Sequence, residues 1–162
     1  MLSIKLNLCL YLRLLPVMLL GVIPVEAADI STPSDKGTAF LESVEKGDVE
    51  RVKRLMGEGV EVNTTRQGDG ASALILASGK GFTQIATLLI NKGANVNTAN
   101  RNGWTPLMGA ASNGHHKIVT LLLANGANVN ARHSYGWTAL KLASQKKHKE
   151  VMDLLVKNGA KK

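Results

Sequence analysis

The sequence has almost no cysteine and few aromatic residues. Its single cysteine, Cys9, lies near the N-terminus, and the rest of the chain has no thiol. An internal disulfide is therefore excluded, and so are a thiol nucleophile and a cysteine-ligated metal beyond that residue. Phenylalanine, tryptophan and tyrosine together make up only 4% of the residues. The core must be built from small aliphatic side chains, which suits closely packed helices.

Acidic residues are absent from the long stretch 70–149, which contains no Asp or Glu. Paired carboxylates therefore cannot supply an acid and a base there. The formal net charge is +8, and such a field favours acidic partners and speeds their encounter. An equally open interpretation is that the lysines only keep the surface soluble. The cations of this stretch are Lys80, Lys92, Arg101, Lys117, Arg132, Lys141, Lys146, Lys147 and Lys149.

Signals for chemistry are missing from the rest of the chain. It has no Gly-x-Ser-x-Gly nucleophile turn and no phosphate-binding Gly-x-x-x-x-Gly-Lys loop. His115 and His116 are adjacent, and neighbours on a helix diverge by about 100°, so they do not face one metal. His115 and His148 recur at the same position, where helix-entry packing and hydrogen bonding explain them. We expect no catalytic residue, no metal and no cofactor, and hence no enzyme.

The N-terminus is typical of an export signal. Lys5 and Arg13 precede a short apolar run, residues 14–25, and the small side chains of Val25 and Ala27, at positions −3 and −1, suit cleavage after Ala27. We therefore predict a signal peptide over residues 1–27 and a periplasmic or secreted protein. No membrane span is expected after cleavage, since a span needs about 20 apolar residues. The alternative, an uncleaved N-terminal anchor, stays open.

A repeat of 33 residues organises the remainder. Gly70, Gly103 and Gly136 are 33 apart, and Gly93, Gly126 and Gly159 share that spacing. A less regular first unit precedes them. After a flexible linker, residues 28–37, we predict one repeat domain over 38–162. Its units are 38–69, 70–102, 103–135 and 136–162.

Each unit has the pattern of a helix, a turn and a second helix. Ser72, Thr105 and Thr138 suit the N-cap of the first helix. Gly81 and Gly114 can take the left-handed conformation that ends it. Apolar residues at helical spacing then predict the second helix. One unit cannot bury its apolar stripe alone, so the units must stack.

The third unit reads GWTPLMGAASNGHHKIVTLLLANGANVN over residues 103–130. With its neighbours it resembles the ankyrin-repeat family, and the layout is similar to that of small exported bacterial members. The resemblance implies an all-α solenoid of four helix-turn-helix units with projecting β-turn fingers. One departure is that the histidine typical of the family after Thr-Pro-Leu is replaced by Ile75, Met108 and Lys141.

The resemblance also implies a concave binding face, formed by the fingers and the exposed side of the first helices. Trp104 and Trp137 occupy equivalent positions on it, and Trp, Tyr and Arg are frequent interface hot spots. The alternative is that each Trp packs on a neighbouring turn and stiffens it. Transferred by position, the face comprises Asp69, Ala71, Lys80, Arg101, Asn102, Trp104, Ser112, Asn113, Arg132, Ser134, Tyr135, Trp137, Gln145 and Lys146.

Taken together, these features predict a non-catalytic, monomeric binding module acting outside the cytoplasm on an acidic protein, which it would protect, inhibit or scaffold. The alternative is an electrostatic binder of an anionic polymer or a membrane surface. No specific nucleic acid is expected, because basic and aromatic residues do not interleave as they do in single-strand binders.

Overall fold

The computed structural model describes residues 33–161 of the chain. The predicted signal peptide and residues 28–32 of the predicted linker lie outside that range. Within it, eight α-helices form four antiparallel pairs, and the fold is the predicted all-α solenoid. The helices are α1 Pro33–Lys46, α2 Val49–Gly57, α3 Ala73–Lys80, α4 Thr83–Asn91, α5 Pro106–Ser112, α6 His116–Ala124, α7 Ala139–Gln145 and α8 Lys149–Lys157.

The first helix begins earlier than the sequence predicts. It starts at Pro33, so residues 33–37 are helical and the predicted linker was wrong for them. An ion pair between Lys36 Nζ and Glu58 Oε2, at 3.7 Å, joins this early turn to the end of the following helix. Such a tertiary contact leaves no trace in the spacing of apolar residues.

The units stack in register, each helix on its counterpart in the next unit. The first helices pack as α1 on α3, α3 on α5 and α5 on α7, and the second helices form a parallel outer row. Equivalent positions therefore form continuous rows of buried side chains. Two such rows are Phe40, Leu74, Leu107 and Leu140 in the first helices, and Leu55, Leu89, Leu122 and Leu155 in the second.

The predicted helix caps are confirmed. The hydroxyls of Ser72, Thr105 and Thr138 each accept, at 3.3 Å, the backbone N–H three residues further on. Gly81 ends α3 with a φ of 82°, and Gly114 follows α5 with a φ of 75°. Each cap satisfies a helix-end group that would otherwise lack a partner, and so defines where α3, α5 and α7 begin.

A ring from each unit lies on a glycine of the unit before. His115 packs on Gly81 and His148 on Gly114, where a Cβ atom would come within 2.7 Å of the ring in each case. The imidazole Nε2 of His115 lies 3.2 Å from the carbonyl oxygen of Gly79, one unit back. The corresponding distance from His148 Nε2 to the Ser112 oxygen is 3.1 Å. These contacts confirm helix-entry packing and hydrogen bonding as the role of both histidines.

Asparagines connect the units on the other side of the second helices. The side-chain oxygen of Asn97 accepts the N–H of Asn128 at 2.7 Å, and Asn130 accepts that of Lys161 at 2.8 Å. The Asn97 amide also donates to the Gly126 carbonyl at 3.0 Å. The Asn-Val-Asn segments therefore hold successive units in register.

The fourth unit presents polar residues where the inner units receive a neighbour. Lys141 and Ser144 are exposed, whereas their counterparts Met108 and Ala111 are fully buried. Lys147 stands where Gly114 does one unit earlier, and it has the unusual φ of 60°. We call Lys141, Ser144 and Lys147 the closing face. A further helical unit would have to desolvate these side chains, so stacking on this face is unfavourable.

Candidate functional site

Three β-turn fingers project from the stack, at residues 66–70, 100–103 and 133–136, and they are hydrogen-bonded edge to edge. The N–H of Arg101 donates to the Asp69 carbonyl at 3.0 Å. One unit later, the N–H and the hydroxyl of Ser134 donate to the Asn102 carbonyl at 2.9 and 2.6 Å. We call this arrangement the finger ribbon. It gives side chains on the fingers a fixed spacing along the stack.

The two tryptophans differ in their surroundings. Trp104 is half-buried, and its indole meets the His133 ring edge to face with centroids 5.6 Å apart. Its Nε1 would be only 3.4 Å from a Cβ atom on Gly109, so the indole covers that helical glycine. Trp137, in contrast, is 36% exposed. Packing on a neighbouring turn therefore describes Trp104, while Trp137 is the more accessible of the two.

An aromatic cluster forms at the third finger. Tyr135 is 85% exposed, and its ring centroid lies 5.5 Å from that of His133. The His133 Nδ1 accepts the N–H of Tyr135 at 3.3 Å. The sequence did not single out His133 as part of the site. His133 occupies the same repeat position as Asn100, whose side chain accepts the equivalent N–H, that of Asn102, at 3.0 Å. This shared position is the signal that could have identified it.

Most of the predicted face is accessible, with one clear exception. Ala71 is only 2% exposed, so its inclusion was wrong. Its N–H binds the Asp69 side chain at 3.1 Å and its carbonyl accepts from Arg66 at 2.8 Å, which places it beneath the first finger. Asp69, Trp104 and Ser112 are half-buried; Lys80, Arg101, Asn102, Asn113, Arg132, Ser134, Tyr135, Trp137, Gln145 and Lys146 are exposed.

Asp69 is engaged within the chain. Arg66 donates to it through Nε at 3.0 Å and Nη2 at 2.6 Å, and also pairs with Glu45. The hydrogen bond from Arg66 is the main reason that the pKa of Asp69 falls to about 2, with a smaller contribution from the Ala71 N–H. The same bond raises the pKa of Arg66. The first finger therefore offers a neutralised pair rather than a free charge.

The cations of the acid-free stretch are all exposed, and none forms an ion pair with a described residue. Arg101 lies on the second finger and Arg132 directly before the third, while Lys80 and Lys146 lie at the ends of inner helices. Lys92, Lys117 and Lys149 lie on the outer side, and Lys141 and Lys147 on the closing face. The exposed positive charge is thus found beside the second and third fingers but extends around the stack.

A groove lies elsewhere, on the first unit. This groove of about 940 Å³ is lined by four glutamates, Glu42, Glu45, Glu58 and Glu61, together with Lys36 and Arg66. Its excess of carboxylates would repel an acidic partner. The groove and the cationic part of the predicted face are therefore surfaces of opposite character.

Within the described residues, no three His, Cys, Asp or Glu side chains gather in a way that could hold a metal. The nearest approach to such a group is the pair His116 Nδ1 and Glu150 Oε2, 3.5 Å apart on neighbouring outer helices. None of the eight helices in residues 33–161 is long and apolar enough to cross a membrane.

Comparison with known families agrees with this architecture. A model described as "Ankyrin repeats (3 copies)" matches residues 40–133, and a single ankyrin-repeat model matches residues 135–162. Together they cover most of the chain, which therefore belongs to the ankyrin-repeat family. Ankyrin repeats are modules for protein–protein interaction, and the chain is such a module; proteins built from these repeats are generally non-catalytic.

Individual relatives share the repeats and differ in the rest. A segment of 72 residues, 44% of this chain, is 38% identical to potassium channel AKT1 of Oryza sativa subsp. indica and spans 8% of it. A segment of 77 residues, 48% of this chain, is 31% identical to mouse 2-5A-dependent ribonuclease and spans 10% of it. Notch-regulated ankyrin repeat-containing protein A of Danio rerio is 36% identical over 83 residues, which are 49% of this chain and 74% of that protein.

Proposed function

We propose that this ankyrin-repeat module acts outside the cytoplasm and binds an acidic protein through its fingers and inner helices, without catalysing a reaction. The observation that carries the proposal is the set of exposed, unpaired cations on a face that lacks carboxylates from residue 70 to residue 149. Such a face attracts acidic surfaces at long range and disfavours basic ones. Protecting, inhibiting or scaffolding the partner would all use the same contact.

The third finger and the residues that flank it supply the anchoring groups. Arg132, Tyr135 and Trp137 are exposed within a few residues of one another, and these are the side-chain types that most often dominate binding energy. Tyr135 in particular exposes a large aromatic ring that nothing in the described chain covers. Burying that ring against a partner would add apolar contact to the electrostatic attraction.

One observation favours a second candidate, an electrostatic binder of an anionic polymer or membrane surface. Lys117 and Lys149 lie on the outer helices, away from the fingers, so the positive charge is not confined to one face. Binding of this kind depends on the number of cations rather than on their arrangement. Its affinity falls steeply with salt.

Capture by the tagged full chain from an extracytoplasmic extract tests the proposal. We expect one defined acidic protein, retained at physiological ionic strength. Arg132→Glu should reduce its capture at least tenfold, whereas Lys117→Glu, the same charge change on an outer helix, should leave it within twofold. If both variants reduce capture equally and moderate salt abolishes it, the result would instead support an electrostatic binder of an anionic polymer or membrane surface.

Export is tested separately. Expression of the full chain in its own host, followed by fractionation and intact-mass spectrometry, should give a product that begins at Ala28 outside the cytoplasm. Detection of the chain only in the cytoplasm, with residues 1–27 attached, would rule out this part of the proposal. A chain that retains those residues in the membrane fraction would indicate the anchored form.

A further inference from the structure

The finger ribbon has an unfilled hydrogen-bonding position at its last finger. The carbonyls of Asp69 and Asn102 each accept an N–H from the following finger. The equivalent atom one unit later is the carbonyl oxygen of Tyr135, which accepts no hydrogen bond from any described residue. An unpaired main-chain acceptor at the edge of a hydrogen-bonded array can be completed by another extended chain.

The helices beside this edge do not invite a further repeat. A following unit would place a ring against residue 147, because the ring of each unit packs on the equivalent position of the unit before. That position is Lys147, and a Cβ atom on its counterpart Gly114 would already be 2.7 Å from the His148 ring. The end of the stack is thus open at the finger and closed at the helices. What fits is an extended segment without an accompanying helix pair.

The side chains around the edge define the chemistry of that segment. Tyr135 is 85% exposed and Trp137 36%, and Arg132 is exposed beside them. No carboxylate lies in the stretch 70–149 that forms this finger and the one before it. A segment whose carboxylates alternate with apolar side chains would pair with Arg132 and also pack on the aromatic rings, because alternate side chains of an extended chain point to opposite sides.

We propose that the edge at Tyr135 binds an extended acidic segment of the partner. One main-chain N–H of the segment donates to the Tyr135 carbonyl, a carboxylate pairs with Arg132, and an apolar side chain packs on Tyr135 or Trp137. This inference rests on the proposed function, since it names the part of the acidic partner that is recognised. It adds a main-chain hydrogen bond that electrostatic attraction alone does not require.

A second copy of the chain is the competing occupant, and the structure argues against it. The N–H of Gly68, the counterpart of Arg101 and Ser134, donates to no described acceptor, so it could meet Tyr135 of another copy. That pairing would set α1 and α2 of the second copy against the closing face. It would also join two molecules that each carry an excess of positive charge.

The test uses the full chain and two synthetic peptides labelled with fluorescein. The first peptide has ten residues, alternately Glu and Val. The second is the same peptide N-methylated throughout, which keeps every carboxylate and removes every main-chain donor. Fluorescence anisotropy should show at least tenfold weaker binding of the methylated peptide. The unmethylated peptide should also shift the ¹³C resonance of the Tyr135 carbonyl in the labelled protein.

Variants locate the contact. Arg132→Glu and Trp137→Ala should each weaken binding of the unmethylated peptide at least fivefold, whereas Lys117→Glu should change its affinity less than twofold. Equal binding of both peptides, with shifts near Lys80 and Asn113, would overturn the edge contact and leave the proposed acidic-partner function standing. No binding of either peptide would overturn the edge contact, while the capture experiment decides the function separately. Concentration-dependent self-association by light scattering would identify a second copy as the occupant and likewise overturn it.

Discussion

The His148 ring lies so close to Gly114 that a Cβ atom there would be 2.7 Å from its Nδ1. The partners come from successive units, and the same pairing joins His115 to Gly81. The glycine is needed twice over, once for its left-handed φ and once for the space that the ring fills. We call this contact between a ring and a glycine of the preceding unit a joint. Each joint is sensitive to the addition of a single methyl group.

Substitution of two glycines separates these contributions. Gly114 and Gly126 have similar φ values of 75° and 82°, but a Cβ atom on Gly126 would meet nothing within 4 Å. Gly126→Ala should lower the free energy of unfolding by about 1 kcal/mol through backbone strain alone. Gly114→Ala should cost about 2–4 kcal/mol, since overpacking adds to the strain. Urea denaturation followed by circular dichroism measures both, and equal losses would show that the ring contact contributes nothing.

Lys147 offers the opposite experiment. It holds a φ of 60° that an L-residue adopts only at a cost. Within the described chain no ring packs on it, so replacing it concerns only the backbone. Lys147→Gly should raise the free energy of unfolding by about 0.5–1 kcal/mol, the relief of strain outweighing the extra freedom of glycine in the unfolded chain. Lys146→Gly, at a neighbour without the positive φ, should be destabilising instead; stabilisation by both changes would refute the explanation.

Ser78 carries a buried polar atom without a partner. Its hydroxyl is fully buried and makes no hydrogen bond with any residue in 33–161, and the equivalent residue one unit later is Ala111. Ser78→Ala should therefore stabilise the protein by about 1 kcal/mol. The buried hydroxyl of Ser43 donates to the Ala39 carbonyl at 2.6 Å, so Ser43→Ala should give no such gain. Thermal unfolding of both variants decides the matter, and destabilisation by Ser78→Ala would reveal an unseen partner for that hydroxyl.

The two tryptophans should respond differently to truncation. Trp104→Ala removes a half-buried ring that covers Gly109 and meets His133, so it should lower the free energy of unfolding by about 2–3 kcal/mol. Trp137→Ala should lower the free energy of unfolding by about 1 kcal/mol or less. It should nevertheless weaken partner capture by about 2 kcal/mol, as expected for an interface hot spot. Denaturation and capture are measured on the same preparations. A Trp137 variant that is badly destabilised yet binds normally would reverse the assignment.

The ion pair of the first finger predicts a pH dependence. The pKa of Asp69 is lowered from 3.8 to about 2, so its stabilising contribution is present above about pH 4 and is lost as the pH falls through 2. The carboxylate is more than one-third exposed, which limits the contribution to about 1 kcal/mol at most. The difference in unfolding free energy between wild type and Asp69→Asn should thus shrink between pH 5 and pH 2. Asp153→Asn, at an exposed carboxylate that forms no ion pair with a described residue, is the matched control.

Spacing and composition were enough to predict the stack and its caps. Gly81, Gly114 and the cap hydroxyls follow a fixed period, and units of two amphipathic helices repeated at such a period bury their apolar faces by stacking. The burial of Ala71 could not be predicted in this way. Its register is that of Trp104 and Trp137, but the Asp69 carboxylate folds the first finger over it.

The site was harder to predict than the fold for the same reason. Repeat register assigns one environment to Trp104 and Trp137, whereas exposure depends on what the next unit contributes. His133 covers Trp104, and no equivalent ring in the described chain covers Trp137. Register likewise did not place the start of α1 at Pro33, because the first unit departs from the repeat there; proline is favoured at the first position of a helix, so the residue itself carried that signal.

The joints described above also bear on how such a chain can grow. The third unit carries both halves of each joint: His115 fits the glycine before it, and Gly114 accepts the ring after it. A tandem duplication of residues 103–135 would therefore place a compatible partner at every new junction and leave Lys141, Ser144 and Lys147 at the end. The gene could lengthen in steps of 33 codons without a compensating mutation, and each step would extend the row of fingers by one.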